Sequence, residues 1–512
     1  MAEATVTPGP PGSRGPRLRG RLRSLSASLR QAPRALVLIL VFAALESVAW
    51  DAAVPAFQGP DEAAHFAYVQ HLAETGSIPN PNQGSAPYST EESDVLNWLN
   101  LSSLIGDLGA RPAWTSADLA ALHRIERSMP RGSRANGSGL NPQAKNPPLY
   151  YALLAIPYRV FVWLPLLKRL FVLRLFSSVF RLLTIVFTWL LAGELFRRSR
   201  WKQSFAASIV ALQPKLAFMS GVISVDNLLA AVVAGFLLMA VRLVQRGPSM
   251  GRVLGASAFA AAAVLTQGRG LVTLPVLLVA LAVAWARHRP AAREMAPRIL
   301  AAAGAIAGAL ALYVLLAGLS NGTSAYGGQV TQLNSAAFNV GQFLSFIYQF
   351  YFPALPGMAP RIGPAYGYQQ VFIQSFYGTF GSLEVLFSNR IDAWLQVLSA
   401  VGLVGFYTAC VVRWRRLRAG WPAVAVMFTL LLTSIVFLHY VSYQALLGNG
   451  GSDPLITGRY LLPLVPLFAL AITFTIGSLP RRAALPIAAL VLAIGVVLSL
   501  DAIGITAARF YA

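Results

Sequence analysis

The sequence predicts an all-α polytopic membrane protein with about eleven transmembrane helices and two large extracytoplasmic loops. Three observations predict it. Of 512 residues, 56% are hydrophobic and only 12% charged, too little polar surface to cover a water-soluble globule. Apolar runs of helix-spanning length recur, a hydrocarbon core of about 30 Å needing about 20 residues. The Lys and Arg residues behind the net charge of +22 sit mostly in short clusters between those runs, which reads as topogenic charge and excludes nucleic acid as the partner.

Residues 1–33, rich in Pro, Gly, Ser and Arg, form a disordered basic cytoplasmic tail, and 34–512 make the transmembrane domain. Val37–Trp50 has the look of a signal-peptide core. We read it as an uncleaved anchor, because ten more spans follow. The eleven runs are 35–54, 172–194, 203–222, 227–245, 252–266, 270–286, 298–319, 395–412, 422–446, 459–478 and 483–505. With the tail in the cytoplasm, the clusters at Arg197–Lys202, Arg242–Arg252, Arg287–Arg298, Arg413–Arg418 and Arg481–Arg482 all fall inside. This accounting requires Pro147–Leu167, apolar and bounded by prolines, to lie at the outer interface without crossing. The large outer loops are then 55–171 and 320–394, with short ones near 223–226, 267–269 and 447–458. The C-terminus falls outside. A single cysteine, Cys410, excludes an intrachain disulfide and a Cys-based zinc site.

The first loop opens with Gly59-Pro60-Asp61-Glu62-Ala63-Ala64-His65, and the stretch to Gly76 predicts a surface helix over 60–75, Pro60 in its first position and Gly76 at its stop. Helical spacing puts Asp61, His65 and Tyr68 on one face. Two readings follow: Asp61 and Glu62 complement the positive end of the helix, or one is a general base oriented by His65. Glu46 inside the first run and Arg181, about 10 Å deeper than Arg174 by helical rise, are costly unless paired. Lys215, after Pro214, is a further candidate to line a cavity. Later in the loop, Lys145 and Asn146 stand before Pro147-Pro148-Leu149-Tyr150-Tyr151, where an ammonium either meets a lipid phosphate or anchors the interface.

The order of motifs resembles the GT-C superfamily of polytopic glycosyltransferases: an acidic pair after the first span, Pro-Pro-Leu-Tyr-Tyr, Arg174 opening the next span, and Asp226-Asn227 before another. Within it, Pro60-Asp61-Glu62-Ala63-Ala64-His65-Phe66 and Gly458-Arg459-Tyr460-Leu461-Leu462-Pro463 are similar to the bacterial membrane proteins known as DUF2142. The resemblance runs along most of the chain, and each motif is short. It implies a GT-C-like fold, a polyprenyl-phosphate-linked sugar as donor, and Asp61 as catalytic base with Glu62 second. One departure concerns Lys145: related sequences often carry His or Lys directly before Pro-Pro, where this chain inserts Asn146.

A departing phosphate needs cations on the same face, and Arg174, Arg269 and Arg459 border spans there. Arg269 follows Gln267 in a tight turn, and Tyr460 follows Arg459. The loop 320–394 is dense in aromatic residues, and Tyr377 and Glu384 are its candidate polar contacts for a sugar, beside Gln374 and Ser375. The sequence requires no cofactor, although Asp61, Glu62, Asp226 and Asp453 are candidates to converge on a divalent cation.

The leading expectation is therefore inverting transfer of a sugar to a glycan, glycolipid or protein of the cell envelope, with membrane lipid around the chain. The rivals are a transporter or flippase of a lipid-linked glycan, and a noncatalytic assembly protein. High Ala and Arg usage and the resemblance point to the bacterial plasma membrane.

Overall fold

In the computed structural model the described residues are 33–80, 86–112, 115–130, 132–137, 141–319, 338–352, 355–358, 368–448 and 457–512. The tail 1–32 and Asp453 lie outside them. Nine helices among the described residues are long and apolar enough to cross a membrane: Arg34–Ala53, Leu166–Leu195, Val225–Arg246, Gly268–His288, Ala292–Leu319, Asn389–Val412, Trp421–Leu447, Gly458–Ile476 and Arg481–Tyr511. Met250–Thr266 is shorter, at 17 residues.

The remaining run, 203–222, is not one helix. It divides into Arg200–Ala211 and Pro214–Ser220, because Pro214 has no N–H to continue the ladder and instead takes the first turn of the second piece. The Gln213 side chain caps that piece by accepting from Leu216 N–H. The break leaves the Ala211 carbonyl free, and Arg181 donates to it. Arg181 is fully buried, and its charge is met by Glu46 of the first span, with Ser47 Oγ at 3.0 Å and the Ala43 carbonyl at 3.1 Å. The two ionisable groups that looked costly in mid-span thus pair with each other, and Arg181 also answers a helix break. Lys215 likewise donates to the carbonyl and hydroxyl of Thr379.

Val225–Arg246 is the central helix, 89% buried in its apolar window, while Ala292–Leu319 and Asn389–Val412 are 11% buried and present Leu300, Leu319, Val401 and Val404 outward. Apolar side chains exposed along whole helices suit lipid, not water. Leu149–Val160 has 12 residues, about 18 Å of helix, and does not cross. The following span begins at Leu166, earlier than the apolar run, because Arg169 is buried against Glu91 and the Tyr158 hydroxyl. Charge that hydropathy counts against a span is here paired with the loop above it.

Loop 55–171 folds into helices Glu62–Thr75, Thr90–Trp98, Leu101–Gly106, Ser116–Ser128 and Leu149–Val160. The described part of 320–394 gives Val340–Tyr351, Tyr368–Tyr377 and a two-stranded antiparallel hairpin pairing Thr379 with Leu386. The two loops meet: Ser382 Oγ donates to the Gln58 carbonyl at 3.4 Å, and Arg509 binds both Glu384 and the Ala110 carbonyl. The Ala512 carbonyl accepts from Arg111 at 3.0 Å, so the C-terminal end shares the face of the first loop. At the opposite face, Lys202 and Arg413 donate to the consecutive carbonyls of Gly477 and Ser478, and Glu194 pairs with Arg242 and Arg246. The alternation of span ends inferred from charge is the alternation observed.

The Glu46–Arg181 pair gives a stability test. Arg181→Met strands a buried carboxylate and the Ala211 carbonyl, and should cost about 3–5 kcal/mol in detergent unfolding. The double variant Glu46→Leu/Arg181→Met should recover most of that loss. Equal damage from single and double variants would show that the pair is not the unit that matters.

Candidate functional site on the loop-bearing face

The site begins at the turn into the helix Glu62–Thr75. Pro60 does not occupy its first position as expected: Asp61 adopts left-handed backbone, φ 60° and ψ 14°, so the helix starts at Glu62. A non-glycine residue in that region is uncommon, though Asp tolerates it. The conformation sends the two neighbouring carboxylates to different places. Gly76, φ 74°, ends the helix as expected.

Glu62 points into the protein and is 1% exposed. Its oxygens accept from Arg174 Nε at 2.8 Å and Nη2 at 2.6 Å, from Ile223 N–H at 2.9 Å and from Gly59 N–H at 3.3 Å. Arg174 also donates to the carbonyls of Val54 and Pro55, each at 2.9 Å, and lies 3.4 Å from Asp51. Glu62 and Arg174 are therefore a fork-to-fork knot that ties the first span, the loop helix, the second span and the 222–223 turn. Their hydrogen-bonding capacity is spent.

Asp61 faces the other way, its side chain 45% exposed, and meets Arg459 Nη2 at 3.2 Å. Arg459 Nε lies 3.4 Å from Asp226 Oδ2, and Asp226 Oδ1 is paired with Arg269. Tyr460 sits beside both cations, its ring centroid 4.6 Å from the Arg269 guanidinium and 5.3 Å from that of Arg459. Local sequence makes these approaches feasible. At Gly270 a Cβ would fall 2.1 Å from the Ala263 carbonyl oxygen, and at Gly458 it would fall 2.3 Å from that of Phe372, so both turns bearing the arginines require glycine.

Below Asp61, His65 is buried and its Nδ1 lies 2.9 Å from the Tyr151 hydroxyl. Burial pushes this imidazole down to about 4, against which the Asp61 and Asp226 charges pull upward, so it is neutral near pH 7. Tyr151 stacks on Tyr68 at 3.6 Å and accepts from Asn146 Nδ2 at 3.1 Å. Lys145, next to Asn146, is exposed, and its carbonyl accepts from Tyr313 at 2.9 Å. Asn227 binds Ser177 Oγ at 2.9 Å and the Met219 carbonyl at 2.7 Å, holding the turn beneath Asp226. Gln267 Oε1 is buried without a hydrogen-bond partner among the described residues.

Two candidates are not brought to Asp61. The Tyr377 hydroxyl lies 3.1 Å from Ser399 Oγ, and Glu384 pairs with Arg509 at 3.3 Å. Of the carboxylates named for a divalent cation, Asp453 lies outside the described residues, Glu62 is bonded to Arg174 and Asp226 is met by two arginines; no group of three metal-ligating side chains occurs among the described residues. Sequence reasoning missed Asp51, which braces Arg174, and the specific pairing of Tyr151 with His65. Asp51 carried a signal, an acidic residue at the end of the first span.

A small crevice of about 20 Å³, room for about one water, adjoins Arg269, with Tyr460 and apolar side chains including Leu229, Val233 and Phe437 among its walls.

A family profile described as "Predicted membrane protein (DUF2142)" matches residues 45–468. The chain belongs to the DUF2142 family of membrane proteins. The match takes in both motifs that suggested it, at Asp61 and at Arg459. No curated protein sequence is significantly similar. Among solved structures, the chain is similar to ArnT from Cupriavidus metallidurans in the apo state, with TM-score 0.45, 14% identity, and coverage of 88% of this chain and 61% of that one. The same protein bound to undecaprenyl phosphate gives TM-score 0.41, 14% identity, and coverage of 87% and 61%. The Archaeoglobus fulgidus oligosaccharyltransferase in the apo form gives 0.47, 13% identity, and 92% and 56%. This DUF2142 chain thus spans less than two thirds of those proteins' length, and residue roles rest on its own geometry.

The buried His65 predicts an acid limb in stability. An unfolded imidazole near 6.5 binds a proton that the folded one, near 4, does not, so stability falls as pH drops from about 6.5 towards 4 and is flat above. His65→Gln should flatten that limb in thermal unfolding scans. An unchanged slope would mean that His65 is charged in the fold.

Proposed function

We propose that the chain is a GT-C-type glycosyltransferase that moves a sugar from a polyprenyl-phosphate donor to an extracytoplasmic cell-envelope acceptor, with inversion. One observation carries the reading: an exposed carboxylate, Asp61, meets Arg459, and Arg459 and Arg269 converge on Asp226 at the ends of membrane-spanning helices. A lipid-linked phosphate asks for that combination, cations for the head group beside apolar helix surfaces for the chain.

In this reading the acceptor hydroxyl oxygen attacks the anomeric carbon while Asp61 takes its proton. The bond from that carbon to the phosphate oxygen breaks, and the electron pair leaves with the phosphate. Arg269 and Arg459 stabilise the charge that develops there. Asp226 holds the Arg269 guanidinium in place and lies beside that of Arg459. Neutral His65, fixed by Tyr151, supports the turn that presents Asp61. Glu62, fully hydrogen-bonded to Arg174 and two backbone N–H groups, supports the architecture and leaves the proton to Asp61.

The test uses purified protein with a radiolabelled polyprenyl-phosphate sugar and a cell-envelope extract. Asp61→Asn should lower turnover at least about a hundredfold, the low end for loss of a general base, with protein yield unchanged. Arg269→Ala should weaken transfer and donor retention together. Near-normal transfer by Asp61→Asn would overturn the assigned base, and donor crossing the bilayer without transfer would favour a transporter.

A further inference from the structure

Resting on that reading, we infer that Arg459 couples donor arrival to the readiness of Asp61: an anionic phosphate that engages Arg459 withdraws it from Asp61 and frees that carboxylate to accept a proton. Four features of the site point to it.

First, Arg459 is the one ion-pair partner of Asp61 among the described residues, and the contact lies at an exposed carboxylate where exchange is easy. Secondly, Arg459 is 13% exposed in its side chain, yet its Nε–H makes no hydrogen bond: Asp226 Oδ2 is at 3.4 Å, a charge contact only. A buried guanidinium with an unspent donor has capacity for another anion. Thirdly, Asp226 does not depend on Arg459, since Arg269 holds its other oxygen. Arg459 can turn away without leaving a buried carboxylate alone.

The fourth feature is the charge balance. Asp61 and Asp226 cancel Arg269 and Arg459, so an incoming phosphate adds anionic charge to a neutral cluster and competes directly for the guanidinium groups. Among the described residues, His65, Tyr151 and Tyr88 also feel the Asp61 charge, with Glu62 committed to Arg174. Neutral His65 supplies no replacement cation. With donor bound, the carboxylate loses its neighbouring cation and gains an anionic neighbour, and both changes favour proton acceptance. Deprotonation of the acceptor is thereby timed to follow donor binding.

The experiment reads Asp61 directly and needs no turnover. Purified protein in lipid nanodiscs is treated with a carbodiimide and an amine at about pH 5, near the ordinary carboxylate range, and modification of Asp61 is quantified by peptide mass spectrometry. Undecaprenyl phosphate is added as probe, with undecaprenol as the uncharged control, and lipid retention is measured on the same samples. Wild type should show a rise in Asp61 modification of roughly two- to fivefold with the phosphate, the size expected for releasing one half-exposed ion pair, and none with the alcohol. Arg459→Gln should start high and respond little. Arg459→Lys, which keeps the charge but lacks the planar fork that reaches Asp61 and Asp226 from separate nitrogens, should respond less than wild type and serves if the Gln variant does not purify. Retention of the phosphate with no change at Asp61, or an equal rise in Arg459→Gln, would overturn the coupling and leave the donor reading standing. Failure of wild type to retain the phosphate would overturn the donor reading, and the coupling with it.

Discussion

The buried pair between Glu62 and Arg174 is the constraint on which the rest of this face depends. Its two parallel hydrogen bonds join residues 112 positions apart, and the remaining donors of Arg174 run to the carbonyls that end the first span. A guanidinium so placed is affordable only because every neighbour answers it. By holding Glu62 inward, the knot sets the left-handed turn at Asp61 and turns that carboxylate towards Arg459. The same contact therefore organises the fold and divides the labour between two adjacent acidic residues.

A second layer of ion pairing builds on the first. Asp226, Arg269 and Arg459 arrive from three separate span ends, at 226, 269 and 459, and meet Asp61 from the loop. Each cation is partly shielded by Tyr460, in surroundings where electrostatic interactions are stronger than in water. The cluster is neutral as it stands, and a site of this kind is altered by an arriving anion more than one with surplus positive charge. The deeper Glu46–Arg181 pair is likewise a buried pairing between spans. It bears on the break at Gln213-Pro214 and not on the site.

Charge clusters and apolar runs made most of the membrane architecture legible. The side to which each span end belongs, the non-crossing segment Leu149–Val160 and the convergence of the loops on one face all follow from them. The limits were local. Hydropathy read 203–222 as one span because a proline within an apolar run does not change the mean; only the supply of hydrogen-bond partners for Ala211, from Arg181, permits the break. It also began the second span too late, since it penalised Arg169 without knowledge of Glu91.

The candidate site was legible as a list of residue types and not as a division of roles. That Asp61, Arg269, Arg459 and Asp226 belong to one face followed from the sequence by itself, because the face of each span end is set by the order of spans and the position of basic clusters, both properties of the linear chain. Membership of DUF2142 was likewise carried by short motifs within residues 45–468. Tertiary structure alone decided that Glu62 is locked and Asp61 open, that Asn227 braces a turn, and that Tyr377 and Glu384 engage Ser399 and Arg509. The reason is physical: whether a carboxylate is a strut or a reactive group depends on which cation meets it and how much water remains, and both are set by residues a hundred or more positions away.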